Sequence, residues 1–209
     1  MKPTILALFS GLLVAAAPSY GGGSSASYGG GDSNEGSYPA STTMSWSQGS
    51  DSFNITASEA YILVQKYVSV LQQKSYQGTP SSVTAEEIIT ANYMDYSDSV
   101  DSLLKNPING SPLDSSRDQW LNGIAYANRL NPPPYQSLEI NSVMRADGNV
   151  IVWTWTIRDV GSGEYPVSGM QFLYFNWQKQ IYKASFEFNS LAWGANTGQV
   201  RQYCSSSGD

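Results

Sequence analysis

Hydrophobic and polar positions alternate most regularly between residues 148 and 188. From Val150 to Ile157, Ile151, Trp153, Trp155 and Ile157 fall on one side and Val150, Val152, Thr154 and Thr156 on the other. From Met170 to Trp177, Met170, Phe172 and Tyr174 oppose Leu173, Phe175 and Trp177, and from Ile181 to Phe188, Tyr182, Ala184, Phe186 and Phe188 oppose Lys183, Ser185 and Glu187. A period of two with β-branched and aromatic enrichment predicts three strands. Gly161-Ser162-Gly163 and Gln178-Lys179-Gln180 supply the turns between them. A fourth strand is expected over residues 135–145, joined to Val150 through Asp147-Gly148, a tight hairpin pair. Apolar residues on both sides call for a cover on each face of the sheet.

Upstream the period changes to that of a helix. Thr56-Ala57-Ser58-Glu59 is a capping box opening a helix to about Lys74, with Ala60, Leu63, Val64, Tyr67, Val70 and Leu71 on one stripe. Thr84-Ala85-Glu86-Glu87 opens a second, short helix to about Ala91. Ser116-Arg117-Asp118-Gln119 opens a third, carrying Trp120, Leu121, Ile124, Tyr126 and Ala127, and Pro132-Pro133-Pro134 ends helical structure.

The first 17 residues have a basic start, a short apolar run and an Ala-Ala-Ala site, the pattern of a secretory signal peptide. Residues 18–52 are low in complexity and repeat Tyr-Gly-Gly-Gly at Tyr20 and Tyr28; a flexible arm is expected. The folded domain is expected over residues 53–198 and a flexible tail over 199–209. Asn54-Ile55-Thr56 and Asn109-Gly110-Ser111 are N-glycosylation sequons, which makes Asn54 and Asn109 candidate acceptors in an exported chain.

Charge narrows the function classes. Only 13% of residues are charged, the formal net charge is −6, and no basic cluster exists. Neither nucleic acid nor an anionic membrane is an expected partner, because both require grouped Lys and Arg. There is no histidine, which removes Ser-His-Asp and Cys-His catalysis and ordinary zinc sites. The single cysteine, Cys204, excludes an internal disulfide and reads as a free thiol on the tail.

Helix, helix, helix and then four long strands frame the run Ala91-Asn92-Tyr93-Met94-Asp95-Tyr96-Ser97-Asp98-Ser99-Val100. This order and this run resemble the nuclear transport factor 2-like (SnoaL-like) superfamily, most of all its secreted fungal members, over residues 53–198. The resemblance implies an α+β cone: a curved antiparallel sheet wrapped around three N-terminal helices, enclosing a pocket. The outer sheet face often makes a homodimer in such proteins. In enzymes of the superfamily a carboxylate near this run acts as general base and a tyrosine on the first helix polarises a carbonyl. The comparable residues are Asp95 or Asp98 with Tyr61 or Tyr67; burial in an apolar cone raises a carboxyl pKa and suits proton abstraction. The dehydratases of the superfamily need a histidine, and its ring-opening hydrolases an Asp-Arg-Asp set; this chain offers neither.

The expected ligand contacts are Tyr67, Tyr93, Asp95, Asp98, Trp120 and Tyr174. Asp95, Asp98 and Asp101, three apart, would share a helix face and could hold a hard cation, but no calcium-loop motif accompanies them, and capping and turn chemistry is the preferred account. Glu187 and Lys183 are expected as a surface pair, and Trp153 and Trp155 as core. Trp120 and Trp193 are candidates for a pocket mouth. The resulting expectation is a secreted domain without catalytic residues, cofactor or metal, which holds a small apolar molecule in the cone or pairs with a second copy. The alternatives are a cofactor-free isomerase, cyclase or dehydratase using Asp95, Asp98 and Tyr67, and a cell-wall or matrix protein attached through the arm.

Overall fold

The computed structural model describes residues 54–146 and 149–199. The expected leader, the Gly/Ser/Tyr arm, the Asp147-Gly148 turn and the tail with Cys204 lie outside them. The elements run α1 (Ala57–Leu71), α2 (Ser81–Ile88), β1 (Ile89–Tyr96), α3 (Asp98–Leu104), α4 (Arg117–Ala127), a 3-10 turn (Pro134–Ser137), β2 (Glu139–Arg145), β3 (Val150–Ile157), β4 (Val167–Phe175), β5 (Ile181–Phe188) and α5 (Ser190–Thr197). The architecture is α+β, with a curved, open five-stranded sheet in the order β1-β5-β4-β3-β2.

The sheet is mixed, where an antiparallel one was expected. β2 to β5 form the antiparallel meander, and β1 joins its edge parallel to β5, with Asp95 opposite Ala184 and Tyr96 opposite Ser185. β1 lies in the stretch expected as a junction between two helices. Its register shifts between Ile89 and Met94, and its buried positions are Ile89, Tyr93 and Asp95. A bulge and a buried carboxylate together hide the alternation that marks an ordinary strand.

Four α-helices precede β2 and a fifth follows β5, where three were expected. The α1 box forms fully: the Thr56 Oγ1 accepts the Glu59 N–H at 3.2 Å, and the Glu59 carboxylate accepts the Thr56 N–H at 2.8 Å. The box expected at Thr84 does not form. α2 starts four residues earlier, capped by Pro80, and the Thr84 hydroxyl donates back to the Pro80 carbonyl at 3.1 Å. Proline at a helix entry has no N–H to leave unsatisfied. At α4 the Ser116 Oγ accepts the Gln119 N–H, but the Gln119 side chain turns to the Ser115 N–H at 3.1 Å instead of the cap residue. The unforeseen α5 contains Gly194 and Asn196, poor helix formers. Packing holds it: Trp193 meets Phe188 edge-on at 5.5 Å, and the Asn196 side chain bonds both ways with the Tyr165 backbone.

The concave face of the sheet carries Ile151, Trp153, Trp155 and Ile157 from β3, Leu173 and Phe175 from β4 and Phe186 from β5, all buried. Ala60, Val64, Tyr67 and Leu71 on α1 and Trp120 and Ile124 on α4 belong to the same core. Gly169 on β4 lies in register with Trp155, and a Cβ there would stand 2.3 Å from the indole ring. The glycine is what lets that indole lie across the strand. Among the described residues no helix is long and apolar enough to cross a membrane.

Candidate functional site

Helical periodicity brings Tyr67 to the middle of the cone. Ala60, Val64, Tyr67 and Leu71 recur at intervals of four, three and four, so they share the inward stripe of α1. Alternation on β1 points Tyr93 and Asp95 the same way, and on β4 it sets Gln171 beside Leu173 and Phe175. These residues close on a void of about 20 Å³, lined by Tyr67, Asp95, Trp120, Tyr135, Trp153, Gln171 and their apolar neighbours. That is room for one water molecule, or for one oxygen of a larger ligand whose body displaces side chains.

Hydrogen bonds link the polar side chains beside the void. The Gln171 amide donates to the Tyr67 hydroxyl at 3.0 Å, and the hydroxyls of Tyr67 and Tyr93 lie 3.2 Å apart. Tyr93 is fully buried, and Tyr67 is its one hydroxyl partner among the described residues. Either hydroxyl can donate in that bond, so the chain runs from Tyr93 to Tyr67 or the reverse. With Tyr93 as the donor, the Tyr67 oxygen accepts twice and its own proton is left for an occupant of the void. The Tyr67 ring stacks on Trp120 at 5.2 Å and meets Trp153 edge-on at 6.2 Å, which holds the hydroxyl in place.

Asp95 is only 1% exposed. One carboxyl oxygen accepts the Asp114 N–H at 3.1 Å, the Asp95 N–H donates to the Asp114 carbonyl at 3.3 Å, and the Leu113 N–H donates to the Asp95 carbonyl at 2.8 Å. Burial, and next the charge of Asp114, raises the Asp95 pKa well above the usual carboxylate range. Burial raises the pKa values of Tyr67, Tyr93 and Tyr135 as well. All three phenols are neutral at ordinary pH, and the protonated form of Asp95 is favoured.

Of the residues singled out from the sequence, Tyr67, Asp95 and Trp120 line the void, and Tyr93 supports it from behind. The others lie elsewhere. Asp98 is exposed at the start of α3, Tyr61 is 49% exposed on α1, and Tyr174 is on the convex face, where its ring lies 6.4 Å from Tyr182. Asp95, Asp98 and Asp101 do not share a helix face, because the chain changes from β1 to α3 at Ser97. Among the described residues no three His, Cys, Asp or Glu converge as metal ligands. Glu187 does not pair with Lys183: its carboxylate accepts the N–H groups of Asp98 and Ser99, each at 2.8 Å, while Lys183 Nζ stands 4.8 Å from the Tyr174 ring centre and 5.4 Å from that of Tyr96. Trp193, on α5, packs against Phe188 and is not among the residues that line the void. Asn54 and Asn109 are exposed; Arg145 donates to the Asn54 amide oxygen, and Asn109 Oδ1 accepts the Ser111 N–H at 3.0 Å.

Sequence reasoning missed Tyr135 and Gln171 and left Trp153 as core. Gln171 carried a signal, since a polar side chain in phase with Leu173 and Phe175 must be buried and bonded. Tyr135 was expected at the start of the strand over residues 135–145, but it lies in the 3-10 turn Pro134–Ser137, and β2 begins only at Glu139.

A comparison with curated proteins finds no match. Among solved structures, a SnoaL-like protein from Burkholderia thailandensis is similar at 11% identity, covering 65% of this chain and 98% of that one with a TM-score of 0.48. A steroid delta-isomerase from Pseudomonas aeruginosa is similar at 13% identity, covering 74% of this chain and all of that one with a TM-score of 0.44. Likeness at this level carries no argument about activity. The model of the NTF2-like domain family matches residues 54–200, most of the chain. On that match the chain belongs to the NTF2-like domain family.

Proposed function

We propose that this NTF2-like domain binds a small, largely apolar molecule whose one polar end enters the void beside Tyr67 and Asp95. The observation that carries this reading is the Tyr67 hydroxyl. It accepts from Gln171 and, with Tyr93 as the donor of the bond between the two phenols, has its own proton to give, inside walls of Trp120, Trp153, Leu71 and Leu138. Apolar walls with few convergent polar atoms are the common form of a small-molecule site. Binding without turnover is favoured because burial disfavours the charged form of Asp95, its carboxyl is tied to the Asp114 backbone, and the chain has no histidine to serve as base. The leader-like start and the two sequons support a role outside the cell.

Catalysis is the second reading, and one observation favours it: Asp95 and Tyr67 line the same void. A carboxyl with a raised pKa can take a proton next to a carbonyl that a phenol polarises. One experiment separates the two. The full chain is titrated with cyclohex-2-enone in D₂O and followed by NMR. Saturable binding that Tyr67→Phe weakens, with the ketone's carbon-bound protons unexchanged, supports binding alone. Exchange of those protons for deuterium, lost in Asp95→Asn, supports catalysis. No saturable binding refutes both.

Pairing with a second copy rests on a different surface. Met144, Val152, Met170 and Phe172 point outward from adjacent strands, with Met144 53% and Met170 41% exposed. An apolar strip across a sheet is a common association face. A sedimentation experiment in which Met170→Glu lowers the mass of the wild-type species supports this interaction role, and a wild-type monomer at high concentration refutes it.

A further inference from the structure

The sequence holds two Asn-Gly pairs, Asn109-Gly110 and Asn122-Gly123, and the fold treats them oppositely. Asn109 lies in the loop between α3 and α4, where residues 105–112 are all exposed. Its Oδ1 accepts the Ser111 N–H at 3.0 Å, an Asx turn that curls the carboxamide back over the Gly110 peptide. Gly110 has a φ of +74°, and nothing lies within 4 Å of where a Cβ would stand, so no side chain shields its nitrogen. Among the described residues the Gly110 N–H makes no backbone hydrogen bond. Asn122 and Gly123 sit inside α4, and Gly123 is buried. Helical pairing commits the Gly123 N–H to the carbonyl four residues back, and a reaction at that nitrogen would require the helical dihedrals to be given up.

We infer that Asn109 is a site of self-modification, where the unglycosylated chain closes a succinimide ring and opens it to aspartate and isoaspartate. The Gly110 nitrogen attacks Cγ of Asn109 and gives up its proton. The bond from Cγ to Nδ2 breaks, and Nδ2 leaves as ammonia, carrying that proton. The Ser111 N–H donates to the oxygen on which negative charge develops during the attack. Water then adds to one of the two ring carbonyls. Opening at the side-chain carbonyl gives aspartate; opening at the backbone carbonyl gives isoaspartate, with the chain rerouted through Cγ. Water is the one co-reactant, no electrons are exchanged, and the loop gains one negative charge. Asn109 also belongs to a sequon, and the two fates exclude each other, because a glycan is attached through Nδ2, the atom that leaves. An occupied sequon protects this loop, and an empty one ages.

The test incubates the folded full chain, produced without glycosylation, in mildly alkaline buffer made with ¹⁸O water, and follows its tryptic peptides by mass spectrometry. Cleavage after Lys105, Arg117 and Arg129 puts the two pairs in separate peptides, 106–117 and 118–129. The expected result is ¹⁸O-labelled aspartate and isoaspartate at position 109, with isoaspartate identified by its selective methylation by an isoaspartyl methyltransferase. Reaction at Asn122 is expected to be at least about tenfold slower, since it waits for a local opening of α4. In urea the two peptides should react at similar rates. Asn109→Gln, on an exposed loop, should leave the fold intact and remove the product from 106–117. Three results would overturn the inference: an Asn109 that stays intact in the folded chain while reacting in urea, a product of aspartate without isoaspartate, or equal rates at the two pairs in the folded chain.

Discussion

Asp95 and Asp114 are joined by two hydrogen bonds at once. The side chain of Asp95 takes the Asp114 N–H, and the backbone of Asp95 gives its own N–H to the Asp114 carbonyl. The carboxyl that faces the void is therefore also the clip that holds the segment before α4 against β1. Any chemistry done at Asp95 is coupled to the seating of that segment.

Stability is expected to fall as pH rises, through this carboxyl. The folded-state pKa of Asp95 is raised above its ordinary value of 3.8. The folded state then binds the proton more tightly than the unfolded chain does. The contribution is complete below the ordinary value and is lost as pH climbs from there toward the folded value. One such proton gives a slope of about 1.4 kcal/mol per pH unit within the window. Asp95→Asn keeps an oxygen for the Asp114 N–H and does not titrate. Urea unfolding at several pH values should show a shallower decline in the variant, which should also be the more stable protein at neutral pH. Parallel pH profiles for the two proteins would contradict the assignment.

Gly169→Ala should cost about 1–3 kcal/mol, the usual range for forcing a methyl group into a filled core. The new Cβ would stand 2.3 Å from the Trp155 ring in the next strand. Because Trp155 also lines the void, the same change should alter its fluorescence and weaken ligand binding. A variant as stable as the parent, with an unchanged emission spectrum, would mean that Trp155 moves aside freely.

What could be read in advance follows from where local rules act alone. Thr56 and Glu59 cap α1 by contacts three residues apart, and the alternation of β3 follows from burial of one face, so both are written in the order of residues. β1 is not. Its partner β5 lies about ninety positions away in sequence, its register shifts after Ile89, and it buries an aspartate where an apolar residue would mark the pattern. For the same reason spacing could not separate Asp95 from Asp98. They look equivalent three residues apart, until Ser97 ends the strand and caps α3, leaving one in the cone and the other in solvent. Tyr135 reaches the void from the 3-10 turn that begins at Pro134, the third of the three prolines.

Glu187 is expected to hold α3 in place. Its carboxylate accepts two backbone N–H groups at the first turn of the helix, and also the Ser99 hydroxyl. Hydrogen bonds to a charged acceptor contribute about 1.5–3 kcal/mol each when buried and less when, as here, water competes. Glu187→Ala should therefore lower stability by about 1–2 kcal/mol and speed amide exchange selectively at Val100 and Asp101. Uniform acceleration across the sheet would instead indicate that the loss is global and that α3 is secured by other contacts.

Tyr67 and Tyr93 should respond unequally to loss of their hydroxyls, and the inequality tests the direction of the proton. Tyr67→Phe removes the acceptor of both Tyr93 and Gln171, which leaves two buried donors without a partner, at about 1–3 kcal/mol each. Tyr93→Phe removes a donor only; Tyr67 keeps Gln171 and its own free proton, and the cost should be about 1 kcal/mol. The double variant should be more stable than the sum of the two losses, because only Gln171 is then orphaned. Ligand affinity should follow a different order: Tyr67→Phe abolishes the donor that meets the ligand, while Tyr93→Phe only weakens its polarisation. Urea unfolding of the three variants, paired with cyclohex-2-enone titrations, reads both orders. Equal losses for the two single variants would mean that the proton runs from Tyr67 to Tyr93 and that the void is not offered a phenol donor at all.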